Sequence, residues 1–179
     1  YENGLTDYMM ESLKGQALVP AQPFTGKLQG EREEAEWALL WVPEPDEELI
    51  QEAYVNLIPT VQGGTHVNGL RTGLTEAIRE FCEFRNLLPR GMKLTADDVW
   101  TGCAYVLSIK MQNPQFAGQT KERLSSSETA TFVSGIAHDA LGVWMNQNTG
   151  TGPSIAHQSI DTETSRTQNR QHNSRKKTH

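Results

Sequence analysis

Polar and apolar positions along the chain change rhythm several times, and each change predicts an element. Ala35, Trp37, Leu39 and Trp41 alternate with Glu34, Glu36 and Leu40, the period of two expected of a half-buried strand. PFTGKLQGE before this stretch and EAYVNLIPT after it read as further strands, and VPEPDEE reads as a turn, so an antiparallel meander is expected. From Val67 the period lengthens: Leu70, Leu74, Ala77, Ile78, Phe81 and Phe84 recur at steps of three and four, marking one face of a long helix that packs on the sheet. LTADDVW opens a short helix with Thr95 as N-cap, and GCAYVLSIKM, apolar on both faces, reads as a central strand. Ser125 and Glu128 have capping-box spacing ahead of a third helix, whose apolar face runs from Phe132 to Trp144 and which ends near Asn148. The class is therefore α+β, with an antiparallel or mixed sheet of about four strands packed with helices.

The remainder has a different composition. Residues 149–179 hold only Ile155, Ala156 and Ile160 as apolar residues and read as a mobile linker or frayed helix, too polar to repay the entropy of ordering. Charge divides at the same place. Residues 1–150 carry 11 Lys+Arg against 20 Asp+Glu, and residues 151–179 carry 5 against 2, so an acidic body precedes a basic tail. Nine of the acidic residues lie between Glu31 and Glu52, with Arg32 as the sole basic residue there; this reads as a solvated face and argues against nucleic acid gripping that edge. A local basic stripe elsewhere can still contact phosphates. With 36% apolar and 21% charged residues the composition is that of a soluble intracellular domain, and no apolar run approaches a membrane span. Cys82 and Cys103 sit among apolar neighbours without metal-ligand spacing and read as buried thiols. The chain opens on Tyr1 without an initiator Met, as a piece of a longer protein would.

Two segments could carry chemistry. In QGGTHVNGLR a glycine turn runs straight into the long helix, where free N–H groups and the positive end of the dipole suit an anion; the same residues also fit a tight strand-to-helix turn capped by Thr65. His66 has no partner at metal-ligand spacing. In NPQFAGQTKERLSS, Lys121 stands on a loop flanked by Pro114 and Gly118, where it could aim an ammonium at a phosphate with Gln119 as second donor, or simply be solvated.

The segments NLIPTVQGGTHVNGLRTGLTEAIREFCEFRNLLPRGMKLTADDVW and CAYVLSIKMQNPQFAGQTKERLSS resemble the transducer domain of bacterial type IIA topoisomerase ATPase subunits. EFCEFRNLLPRG is more similar to the B subunits of the topoisomerase IV branch than to those of DNA gyrase. The resemblance covers residues 1–147, with GGTH and QTK in that order as its specific marks, and only IAHQSID keeps the pattern of the family's exit helix. It implies a junction from an upstream ATPase domain over residues 1–22, a transducer over 23–148 and a polar basic tail or exit helix over 149–179. It further implies that Lys121 and Gln119 contact the γ-phosphate of ATP held by the upstream domain, with Lys121 in a catalytic role. The Mg2+ ligand and the catalytic base of that reaction would lie upstream, outside this chain. The Arg of the family's GLR matches Arg71, which the resemblance places on the cavity for double-stranded DNA. The implied partners are the upstream ATPase domain, a second copy in an ATP-closed dimer, the A subunit of topoisomerase IV and DNA, with no membrane. Decatenation and relaxation in chromosome segregation, in the cytoplasm at the nucleoid, is the implied setting. Two alternatives stay open: a DNA gyrase transducer, and a stand-alone phosphate-binding adaptor built on the GGTH helix terminus.

Overall fold

A computed structural model describes residues 4–14, 18–42, 49–89, 91–148, 153 and 155–164. The VPEPDEE turn, apart from Val42, and the basic RKK run lie outside the described residues. In chain order the elements are α1 (Leu5–Ser12), β1 (Val19–Gln29), β2 (Glu33–Trp41), β3 (Gln51–Val55), β4 (Ile58–Pro59), α2 (Thr65–Phe84), α3 (Ala96–Trp100), β5 (Cys103–Met111) and α4 (Ser127–Gln147). The α+β class expected from the sequence is present, with five strands in the order β1-β2-β5-β3-β4.

The expected meander is not. β5 inserts between β2 and β3, antiparallel to the first and parallel to the second, so the chain leaves the sheet through α2 and α3 before returning to its centre. Local alternation specifies strands but not which strands become neighbours, and a parallel pair requires a long crossover of this kind. EAYVNLIPT, read as one strand, is a hairpin: Asn56 and Leu57 both take positive φ, the geometry of a two-residue turn between β3 and β4. The Asn56 side chain then bonds Met111 at both its N–H and its C=O, extending the sheet where the backbone turns away.

Two apolar layers sandwich the sheet. On one side Leu39, Trp41, Leu107 and Ile109 meet Leu70, Leu74, Ile78 and Phe81 of α2 and Leu141 of α4. On the other, Ala38, Leu40, Val42, Ala104 and Val106 are covered by Met9 and Leu13 from α1 and the residue after it. β2 is thus buried on both faces over its second half rather than half-buried, because α1, a helix too short to register as periodicity, lies against it. Tyr8 and Tyr54 both donate to Glu52, fixing α1 to β3, and Tyr54's own bond to Glu52, followed by burial, pushes its phenol pKa up to about 12.

α2 and α4 pack backbone to backbone. A Cβ on Gly69 would stand 2.5 Å from the Ala130 carbonyl oxygen, and one on Gly73 equally close to that of Ser134, so the GLRTG spacing is what allows the approach. Phe84, expected on the buried face of α2, is 83% exposed at the helix's last residue, while Phe81 and Cys82 of the same turn are buried in the core. Thr95 caps α3 as expected, in a reciprocal box with Asp98. The cap of α4 is shifted by one residue from the Ser125 register: Ser126 precedes the helix, and its Oγ accepts from the Gln115 N–H instead of capping it.

The polar segment after α4 departs furthest from expectation. Residues 155–164 are helical, and Ile155, Ala156 and Ile160 enter the main core. Three apolar side chains on one face suffice here because they join a core already built, rather than having to build one. Both cysteines are buried free thiols, and burial raises each pKa, that of Cys82 to about 11. Among the described residues no helix is long and apolar enough to cross a membrane.

Candidate functional site

The two segments singled out as separate candidates are one structure. Pro59 closes β4, and the chain then turns through Gln62 and Gly63 into α2. After β5, residues 112–126 leave the sheet as a loop and return alongside this turn. Leu124 is the joint: its N–H donates to the Gly63 carbonyl at 3.0 Å, and its own carbonyl accepts from the Thr65 N–H at 3.1 Å. Gly64 lies against it so closely that a Cβ would meet the Leu124 carbonyl oxygen at 2.3 Å, and its φ of 134° is one that side chains rarely tolerate. Gly64 therefore serves close backbone approach, while Gly63 supplies the positive φ of 72° that the turn takes. That spacing in the sequence was the one available signal of a partner strand, but it did not identify the partner.

Of the two readings of the α2 N-terminus, these bonds favour the tight strand-to-helix turn over the open anion site, with Gly64 rather than Thr65 at the cap position. Gly64 is the N-cap residue and is buried, His66 is fully buried, and the first helical N–H, that of Thr65, is spent on Leu124. Thr65 does not act as the cap, and its buried hydroxyl has no partner among the described residues. His66 has a structural place. Thr60 Oγ1 donates to the Ala53 carbonyl at 3.0 Å, so the His66 Nε2–H must donate to Thr60 Oγ1, also at 3.0 Å. That tautomer leaves Nδ1 buried without a partner among the described residues, and burial lowers the imidazole pKa to about 4.

The loop tip is the opposite case. Ala117 N–H bonds the Arg123 carbonyl at 3.0 Å, Ser125 N–H bonds that of Gln115 at 2.8 Å, and Phe116 bridges Leu124, so the neck is a short ladder. Gly118 to Glu122 are held beyond it. Gln119, Thr120 and Lys121 are exposed, and no hydrogen bond or ion pair engages Gln119 or Lys121 among the described residues. Glu122 is turned inward: its backbone carbonyl accepts from Gln62 N–H, and its carboxylate accepts from Gln62 Nε2, both at 2.8 Å. An ammonium and a carboxamide with unspent donors, on a tip whose neck is rigidly tied to a core helix, can bind an anionic group presented from outside. Among the described residues no three His, Cys, Asp or Glu side chains gather as a metal site.

Arg71 belongs to another neighbourhood. Its guanidinium pairs with Asp97 of α3, and its side chain is 37% exposed, so its charge is already matched inside the chain. Nothing in the sequence spacing pointed to Asp97 as its partner.

The fold is a mixed five-stranded sheet with a two-helix layer, from which a tied loop presents the exposed side chains of Gln119 and Lys121. The chain belongs to the DNA gyrase B family, whose model matches residues 4–175. It is 65% identical over 148 residues to the B subunit of DNA topoisomerase 4 from Haemophilus influenzae, covering 83% of this chain and 23% of that protein. It is 59% identical over 160 residues to the B subunit of DNA topoisomerase 4 from Escherichia coli, covering 89% of this chain and 25% of that protein. The chain thus spans about a quarter of the length of the curated relatives it matches. Among solved structures, the topoisomerase IV ATP-binding domain of Francisella tularensis, in complex with a small-molecule inhibitor, superposes with a TM-score of 0.81 at 36% identity, over 93% of this chain and 44% of that one. The 43K ATPase domain of Thermus thermophilus gyrase B shares the fold, with a TM-score of 0.86 at 23% identity, over 97% of this chain and 46% of that one.

Proposed function

We propose that this chain is the transducer portion of the B subunit of an ATP-dependent type II DNA topoisomerase of the topoisomerase IV branch. In this reading residues 1–22 join it to an upstream ATPase domain, residues 23–148 form the transducer, and residues 149–179 lead toward the rest of the subunit. The identity of 59–65% to B subunits of topoisomerase 4 supports this branch. The observation that carries the reading is the loop tip: Lys121 and Gln119 have no internal partner among the described residues, while the neck beneath them is bonded to the start of α2. The stand-alone adaptor is disfavoured, because Gly64 and His66 at the helix terminus on which it depends are buried and the Thr65 N–H is bonded to Leu124.

ATP bound in the upstream domain with Mg2+ would supply a cleavable phosphoanhydride and a terminal phosphoryl charge that stays at the site only until cleavage and phosphate release. Lys121 would offer its ammonium to the terminal phosphoryl group, where negative charge concentrates in the transition state, and Gln119 would donate a second hydrogen bond. Because the neck is tied to α2, gain or loss of this contact would bias the position of the α2–α4 layer, coupling nucleotide state to a DNA gate built with the A subunit and a second copy of the chain. The setting is the bacterial cytoplasm at the nucleoid. ATP-dependent decatenation by the assembled enzyme should be lost in Lys121→Ala and retained in a loop control such as Thr120→Ser. Decatenation at the wild-type rate in Lys121→Ala would refute the assignment.

Arg71 would serve as a single non-specific phosphate contact in the DNA cavity, exchanging Asp97 for DNA. Arg71→Gln should then lower the salt slope of DNA binding by about one phosphate contact. An unchanged slope would leave Arg71 as the partner of Asp97 alone.

A further inference from the structure

The tip sequence Lys121-Glu122-Arg123 places a carboxylate between two cations, yet among the described residues Glu122 forms no ion pair with either. It is held instead by a neutral side chain 60 positions away. Gln62 grips it at two points, its backbone N–H on the Glu122 carbonyl and its Nε2 on the Glu122 carboxylate, both at 2.8 Å. Gln62 is itself exposed. It follows the two-stranded hairpin and precedes Gly63, whose carbonyl receives the Leu124 N–H, so the grip ties the turn to the last residue of the tip, directly after Lys121.

We infer that Gln62 is a positioning residue that keeps the Glu122 carboxylate away from Lys121, so that the ammonium stays unpaired and available to an external anion. The physical reason is competition. A carboxylate adjacent in sequence to a lysine is the nearest possible partner for its ammonium, and a free carboxylate beside a bound polyphosphate also repels it. A neutral amide is suited to the task, because it satisfies the carboxylate by hydrogen bonding without adding a second positive charge at the site. This inference rests on the reading of Lys121 as an anion contact and names a second residue on which that contact depends.

A charge-reversal logic separates it from a simple packing role. In the full-length subunit, Gln62→Ala should weaken binding of a non-hydrolysable ATP analogue by about 5-fold, the scale of one exposed charge contact. Glu122→Gln, which removes the competing charge, should bind at least as well as wild type. The double variant Gln62→Ala/Glu122→Gln should return to within about 2-fold of wild type, since no carboxylate remains to be restrained. Melting temperatures of all variants should agree with wild type. If Gln62→Ala binds normally, or the double variant binds as weakly as Gln62→Ala alone, Gln62 has no such role. Lys121→Ala, measured in parallel, keeps the two levels apart. Weak binding there with a silent Gln62→Ala overturns only this inference, whereas normal binding in Lys121→Ala overturns the reading of the loop and this inference with it.

Discussion

The turn at residues 62–66 and the loop tip at residues 118–122 are hydrogen-bonded neighbours of similar composition, short, polar and glycine-bearing, yet they are opposites in how their polar groups are used. In the turn, polar groups are turned inward: Thr65 N–H on Leu124, His66 on Thr60, Thr60 on Ala53. At the tip, Gln119 and Lys121 keep theirs free of any partner among the described residues. Both segments resemble anion sites when read as strings of residues. Counting where each donor goes separates a joint from a contact.

The glycines test this contrast most strongly. Gly64→Ala would drive a Cβ into the Leu124 carbonyl at 2.3 Å on a backbone with φ of 134°, and should cost on the order of 4 kcal/mol in denaturant melts. Gly118→Ala meets nothing within 4 Å and bears only the strain of φ 79°, so about 1 kcal/mol is expected. Equal losses at the two positions would erase the distinction between joint and tip.

The buried imidazole sharpens it through pH. His66 has its pKa lowered to about 4 from 6.5 in the unfolded chain, so above pH 6.5 both states are neutral and nothing is lost. As pH falls from 6.5 toward 4, the unfolded chain takes up a proton that the folded one refuses, and stability drops, by up to about 3 kcal/mol. Urea melts between about pH 7.5 and 4.5 should show a component of this drop that disappears in His66→Gln. The same acid dependence in both proteins would mean that His66 is not held neutral by the fold.

Much of the fold was legible because the periodicities were strong. The β2 strand, the α2 stripe from Leu70 to Phe81 and the Thr95 cap all appear where the residues placed them, although β2 is buried on both faces over its second half. What was not legible depended on long-range pairing. The position of β5 between β2 and β3 is set by a crossover that no local pattern encodes. α1 and residues 155–164 are short, and they are ordered by the core they join. At the site, Lys121 and Gln119 could be named from the sequence, but the grip of Gln62 on Glu122 spans 60 residues and follows from the loop docking on the turn.

The central claim is that Lys121 supplies a charge-assisted contact to ATP held in the upstream domain, and steady-state ATP turnover of the complete subunit tests it most directly. Lys121→Ala removes a contact of roughly 1.5 to 3 kcal/mol in binding, and if it strengthens in the transition state, turnover should fall by about a hundredfold or more. The melting temperature should stay at the wild-type value, because the side chain is exposed and packs against nothing that the fold requires. A folded Lys121→Ala subunit that turns over ATP at the wild-type rate would contradict the account.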